Sequence, residues 1–179
     1  MSSYFCCTVG DFVETPTDSV VAALHSGYAR DGFQNQYTSQ THAWEKSIEL
    51  LQSQLRKVKN AQPLTQNWGI LLEYPLYRLR DRIDLVILAG QIVLPVEIKV
   101  GASSFSAADQ RQVEEYGLDL RDFHSESKDR SIVPVLWVTG KRSGHWSIYV
   151  PKAVGKVQLV GRQELACFLA GLSRHIGGE

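Results

Sequence analysis

Cysteine is scarce in this chain, and the little present follows no pairing pattern. Cys6 and Cys7 are adjacent, and Cys167 lies far away. Three such residues make no disulfide framework. No CxxC or Cys/His spacing offers a zinc site, so they read as free thiols in a reducing compartment. No stretch approaches the roughly 18–20 apolar residues that span a bilayer. The N-terminus lacks a basic region followed by an apolar run, which argues against a signal peptide; a cytoplasmic location is expected. An excess of one charge is also missing, since 19 Lys and Arg balance 19 Asp and Glu. That balance argues against a general nucleic-acid coat, so any phosphate contact must come from a local patch. Repeats and low-complexity segments are absent. So are a Walker loop, a dinucleotide-binding glycine fingerprint and a serine elbow. The five histidines show no paired spacing and read as structural or surface residues.

The 179 residues, 44% apolar and 21% charged, suit one domain with one sizeable core. Residues 1–15 give no clear pattern. Thr17 to Arg30 predicts a helix, with Pro16 and Thr17 as start signals. Residues 31–41 are polar and predict a loop. Trp44, Ile48, Leu51, Leu55 and Val58 recur at steps of four and three, the stripe of a long amphipathic helix. After a connection containing Pro63, the period changes to that of strands. Gly69–Leu76, Arg82–Ala89 and Ile92–Val100 are the candidates, the last two joined by a tight turn at Gly90-Gln91. Ala107–Phe123 predicts a second long helix. Ile132–Thr139 suits a buried strand, Ser147–Val150 and Lys156–Val160 short strands, and Arg162–His175 a closing helix. This order predicts an α/β fold with helices on the faces of a mixed sheet. The chain is read as a single domain over 1–179: an N-terminal helical extension (1–39), a core (40–140), and C-terminal strands and helix (141–179).

The segment carrying chemistry runs Arg82-Ile83-Asp84-Leu85-Val86-Ile87, then Gly90-Gln91, then Pro95-Val96-Glu97-Ile98-Lys99. Side chains alternate along a strand, so Glu97 and Lys99 share a face. The hairpin brings Asp84 towards Glu97. Charges inside such apolar runs are costly unless paired or bound to a metal. Two carboxylates suit a hard divalent ion such as Mg²⁺, which activates water and neutralises a phosphate oxygen. The Ile98 backbone carbonyl is a further candidate ligand, and Lys99 a stabiliser of developing charge. Glu73 lies within the apolar run ILLEYPL, where a charge is hard to explain structurally, and Glu45 and Glu49 lie on the long helix. Arg78, Arg80 and Arg82 precede Asp84 at two-residue spacing. If one strand runs through all four, they share a face and form a basic row for phosphate contact, which Lys141, Arg142, Lys152 and Lys156 could extend.

Asp84 followed by Glu97-Ile98-Lys99 resembles the D…ExK core of the PD-(D/E)XK nuclease superfamily, with Ile83 where the family often has proline. Gln112 and Tyr116 give a QxxxY spacing similar to the subset related to the RecB nuclease and lambda exonuclease, and i and i+4 share a helix face. The run from Glu97 to His124, with VEEYGLDLRDFH, also resembles nuclease-like domains fused ahead of superfamily 1 type helicase modules. The resemblance covers roughly residues 40–140. It implies a restriction-endonuclease-like αβββαβ core and a deoxyribonuclease using Mg²⁺ or Mn²⁺, in DNA repair or phage defence, with RNA the less favoured substrate. Asp84, Glu97, Lys99, Gln112 and Tyr116 would be its catalytic residues. Asp84, Glu97 and Ile98 would hold the metal, and the additional acidic residue that many members carry ahead of the aspartate would be Glu73, Glu45 or Glu49, with Glu73 preferred slightly and the three left open. The alternatives are a module that binds nucleic acid or a helicase partner without cutting, and a scaffold that does neither.

Overall fold

The computed structural model describes residues 3–31 and 37–177. Its elements in chain order are β1 (Phe5–Thr8), α1 (Val9–Glu14), α2 (Thr17–Arg30), α3 (Tyr37–Ala61), β2 (Gly69–Leu76), β3 (Asp81–Ala89), β4 (Ile92–Lys99), α4 (Ala107–Phe123), β5 (Ser131–Ile132), β6 (Val135–Val138), β7 (Gln158–Gly161) and α5 (Glu164–Gly177), with a 3-10 turn at Pro63–Asn67. One mixed sheet runs in the order β1-β2-β3-β4-β6-β7, and β5 also pairs with β4. The first four strands are antiparallel, whereas β4, β6 and β7 are parallel. The α/β class and the mixed sheet flanked by helices are therefore as expected. Among the described residues no helix is long and apolar enough to cross a membrane.

Apolar periodicity explains how the layers meet. The α3 stripe of Trp44, Ile48, Leu51, Leu55 and Val58 is buried throughout, against one sheet face that α1, α2 and α5 also cover. Each such side chain contributes roughly 1.5–3 kcal/mol on leaving water. The opposite face packs beneath α4 through Val113, Tyr116 and Leu120, against Val86, Val93, Leu136 and Val138. Both faces of the central strands are thus covered, which is why β4 and β6 read as continuous apolar runs. At the β3–β4 hairpin, Gly90 has φ of 63°, a conformation that costs glycine little.

Several expectations need correction. The segment before α3 is not a helical extension alone, because β1 adds an edge strand against β2. Thr8 caps α1, its hydroxyl accepting from the Asp11 N–H at 3.1 Å. Of the loop expected over 31–41, residues 32–36 lie outside the described residues, and α3 already begins at Tyr37. The single strand expected over 132–139 is two strands. Pro134 has no N–H to give to a ladder, and the Ile132 N–H turns instead to the Ala153 carbonyl at 2.8 Å. Ser147–Val150 forms no strand, because the Ser147 N–H is taken by the Gln158 side chain at 2.8 Å. Lastly, β7 and α5 each begin two residues later than expected.

Close packing between α2 and the N-terminal segment is set by Gly27. A methyl group built there would lie 2.3 Å from the Tyr4 ring. Alanine in a helix gains about 1 kcal/mol over glycine, but overpacking costs about 1–3 kcal/mol. Gly27→Ala is therefore expected to destabilise the fold by up to about 2 kcal/mol in urea unfolding. An unchanged or higher midpoint would contradict this account of the contact.

Candidate active site

The sheet opens at one rung. Pairing of β2 with β3 runs to Leu72↔Leu85 and resumes at Tyr74↔Ile83, skipping Glu73 and Asp84. Leu72 and Leu85 belong to the core beneath α3, whereas Tyr74 and Ile83 pack on the α4 side. Strict alternation would keep residues two apart on one face, so both strands change face at this rung. Glu73 carries the irregularity in its backbone, with φ of 52°. Such a conformation costs a residue other than glycine on the order of 1–2 kcal/mol. Arg82 holds it in place. Its guanidinium donates to the Glu73 carbonyl, pairs with Asp31 and stacks on the Tyr4 ring at 3.8 Å.

Pairing of β3 with β4 likewise stops at Leu85↔Val96, one rung before Asp84 and Glu97 would meet. In place of a ladder bond, the Ile98 N–H donates to Asp84 Oδ2 at 2.8 Å. Asp84 and Glu73 therefore line two clefts, one on each side of the opening. The first, of about 460 Å³, lies under α3 with Trp44, Ile98 and Lys99. The second, of about 500 Å³, lies under α4 with Glu97, Gln112 and Tyr116. Asp84 and Glu97 thus share a cleft, as the hairpin argument requires. Lys99 bridges the two sides, its ammonium 2.8 Å from Glu97 Oε1 and 3.3 Å from Asp109 Oδ1.

Electrostatics mark this spot. Burial raises the Asp84 carboxyl well above the usual carboxylate range, and the neighbouring charges of Glu97 and Glu73 add to the rise. Glu97, only 5% exposed, is raised by burial as well; Lys99 opposes that shift without cancelling it. Burial lifts Glu73 to about 7, against the opposing hydrogen bond from Trp44 Nε1 at 3.0 Å. For Lys99, burial would lower the ammonium pKa, but Glu97 and then Asp109 raise it overall, so it stays cationic. Burial and the surrounding carboxylates also raise the Tyr116 hydroxyl, keeping it neutral. That hydroxyl accepts from Gln112 Nε2 at 2.6 Å and donates to Asp81 Oδ2 at 3.1 Å.

The residues singled out from the sequence divide into two groups. Asp84, Glu97, Ile98, Lys99, Glu73, Gln112 and Tyr116 gather about the opening. Glu45 lines neither cleft, and Glu49 is exposed; it is Trp44, one residue earlier, that reaches Glu73. The arginine row does not form, because residues 77–80 make a turn and β3 begins only at Asp81. Arg78 pairs with Asp119 at 2.7 Å and lies over the Phe123 ring, while Arg80, at φ of 53°, is exposed beside the cleft. Residues not singled out include Tyr4, Asp31, Asp81 and Asp109. Of these only Asp109 had a local signal: it follows Ser106 in the S-x-x-D pattern of a helix start, and the Ser106 hydroxyl donates to it at 2.6 Å.

The donor set can be tested against a divalent cation. Among the described residues, no three acidic, histidine or cysteine side chains converge as a ready metal cage. However, Glu97 Oε2 is buried and has no hydrogen-bond partner. A buried oxygen without a partner costs about 1–3 kcal/mol, more when charged, and a cation would satisfy it. Mg²⁺ commonly uses only one or two carboxylates and keeps several waters, so Asp84 and Glu97 fit. Comparison with known proteins finds no matching family model, no matching curated protein and no matching solved structure.

Stability should depend on pH with a definite sign. Asp84, Glu97 and Glu73 have folded values above their unfolded ones, so the folded chain holds more protons in between. Stability then falls as pH rises from the ordinary carboxylate range through those raised values. Glu73, rising from 4.5 to about 7, accounts for roughly 1–3 kcal/mol of the fall. Urea unfolding in chelator between pH 5 and pH 8 is expected to show the decline, and Asp84→Asn to flatten it. A stability that rises over that range would refute the assignment.

Proposed function

We propose that this chain is a metal-dependent nuclease that hydrolyses phosphodiester bonds, with DNA the favoured substrate over RNA. The observation that carries the reading is the buried, unpartnered Glu97 Oε2 beside the desolvated Asp84 carboxylate, with Lys99 in contact. The resemblance of Asp84 and Glu97-Ile98-Lys99 to the PD-(D/E)XK nuclease superfamily, together with Gln112 and Tyr116 on α4, supports it. The order α3-β2-β3-β4-α4-β6 agrees with the αβββαβ core that the resemblance implies. A cytoplasmic setting in DNA repair or phage defence is part of the same proposal.

In this reading Asp84 and Glu97 hold Mg²⁺ or Mn²⁺, with the Ile98 carbonyl and Glu73 as further oxygen donors. The bound ion would supply an activated water and offset charge on the phosphate. Everything else falls to the chain itself. The Ile98 N–H fixes the Asp84 carboxylate. Asp109 and Glu97 keep the Lys99 ammonium protonated at the mouth of the cleft, where it donates to negative charge growing on the phosphate. Gln112 and Tyr116 brace each other at 2.6 Å and present a neutral amide and hydroxyl to the substrate. Arg82 keeps Glu73 turned towards the opening, a positioning role rather than a phosphate contact.

A competing reading, a module that grips nucleic acid or a helicase partner without cutting, rests on Lys99 being engaged by two carboxylates already. Two measurements separate them. Calorimetry is expected to show divalent-cation uptake with proton release, since carboxylates with raised values must ionise to bind the ion; Asp84→Asn should abolish it. Incubation with plasmid, single-stranded DNA and RNA in Mg²⁺ or Mn²⁺ is expected to give cleavage, and Lys99→Ala should reduce it at least a hundredfold. Cleavage equal in wild type and Lys99→Ala, or no cation uptake by wild type, would sink the nuclease reading.

A further inference from the structure

We infer that a phosphodiester backbone lies along one end of the parallel strands, held by Lys141, Arg142 and Arg162, on the β7 side of the carboxylate opening. The inference rests on the nuclease reading for the identity of the polymer. Its own support is the placement of charge. The chain is neutral overall, yet these three cations converge on one cleft of about 470 Å³ with Gly140 and Gln163. None of the three side chains has a carboxylate partner among the described residues. By contrast, Arg78 and Arg82 are already committed to Asp119 and Asp31. Lys57 joins the same rim, its ammonium 3.0 Å from Gln163 Oε1.

The fold ties this cleft to the reaction site. In register, Lys99 lies beside Val138, and Val138 beside Gly161, so the three strands end together. The Thr139 N–H donates to the Lys99 carbonyl at 3.1 Å, two residues before Lys141. Strands stand about 4.8 Å apart, so the cationic loops lie on the order of 10 Å along the sheet end from Lys99. At about 3.4 Å per nucleotide, a strand held there would need only about three nucleotides to reach the carboxylates.

These loops are fixed rather than loose. The Arg162 N–H donates to the Lys141 carbonyl at 2.8 Å. Glu164 Oε2 accepts from both the Gly144 and Gly161 N–H groups at 2.8 Å, so this nearby acid braces the loops instead of neutralising the cations. A methyl group at Gly140 would lie 2.3 Å from the Ala102 carbonyl, and one at Gly161 would lie 2.7 Å from the Arg142 carbonyl. Cations on a braced surface bind phosphates at less entropic cost than cations on mobile loops.

The test is fluorescence anisotropy of labelled single-stranded and duplex DNA over a salt series, in chelator so that nothing is cut. The triple variant Lys141→Gln/Arg142→Gln/Arg162→Gln is expected to bind at least tenfold more weakly at low salt. Its salt slope should fall by about 2–3, at roughly 0.7–0.9 per phosphate contact. Lys128→Gln, in the exposed turn after α4, should leave the slope unchanged. Should the triple variant melt early, each single variant should still lower the slope by about 1. The inference fails if those variants keep the wild-type slope, if wild type retains no DNA at low salt, or if polyglutamate competes as well as DNA. Binding through this patch without any cutting in Mg²⁺ would uphold the surface and refute the nuclease reading instead.

Discussion

Three strands separate at the rung of Glu73, Asp84 and Glu97, and the rest of the site follows from that separation. In an ordinary ladder Asp84 would sit between two neighbours with its carboxylate on one face. Here pairing lapses on both sides of it, and the Ile98 N–H satisfies the carboxylate instead. The opening leaves a cleft on each side in what is otherwise core. It also places three acidic groups together where water is scarce, and so their proton affinities rise together.

Such an arrangement is unstable on its own terms. The left-handed Glu73 backbone, the unpartnered Glu97 oxygen and the mutual repulsion of the carboxylates each cost the folded state something. The surrounding structure holds the arrangement in place. Arg82, Asp31 and Tyr4 clamp one side, Lys99, itself held by Asp109, offsets the charge of Glu97 on the other, and two apolar layers cover the sheet. Strain and desolvation concentrated at one rung of a well-packed sheet are the physical ground on which the proposed chemistry rests.

The α4 side and the α3 side play different parts. Gln112 and Tyr116 form a neutral, hydrogen-bonded wall beside Glu97. On the other side, Trp44 spends its indole N–H on Glu73 and fills the space beneath. Three cations without a carboxylate partner among the described residues, Lys141, Arg142 and Arg162, lie together at the ends of β6 and β7. Of the arginines close to the carboxylates in sequence, Arg78 and Arg82 pair with Asp119 and Asp31, while Arg80 is exposed beside the second cleft.

Periodicity and turn chemistry determined the local elements. The apolar stripe from Trp44 to Val58, the strand at Gly69–Leu76, the Gly90-Gln91 hairpin and the helix Ala107–Phe123 follow from spacing alone, because burial of one face dictates each. Spacing also brings Glu97 to Lys99, since strands alternate. Tertiary structure decided what depends on partners distant in sequence. It joined β1 to the sheet edge, broke the strand at Pro134, turned Arg82 towards Asp31, and carried Asp109 to Lys99. It also reversed the alternation at Glu73 and Asp84, which no local pattern reveals, because that reversal arises from two strands and an arginine clamp acting at once.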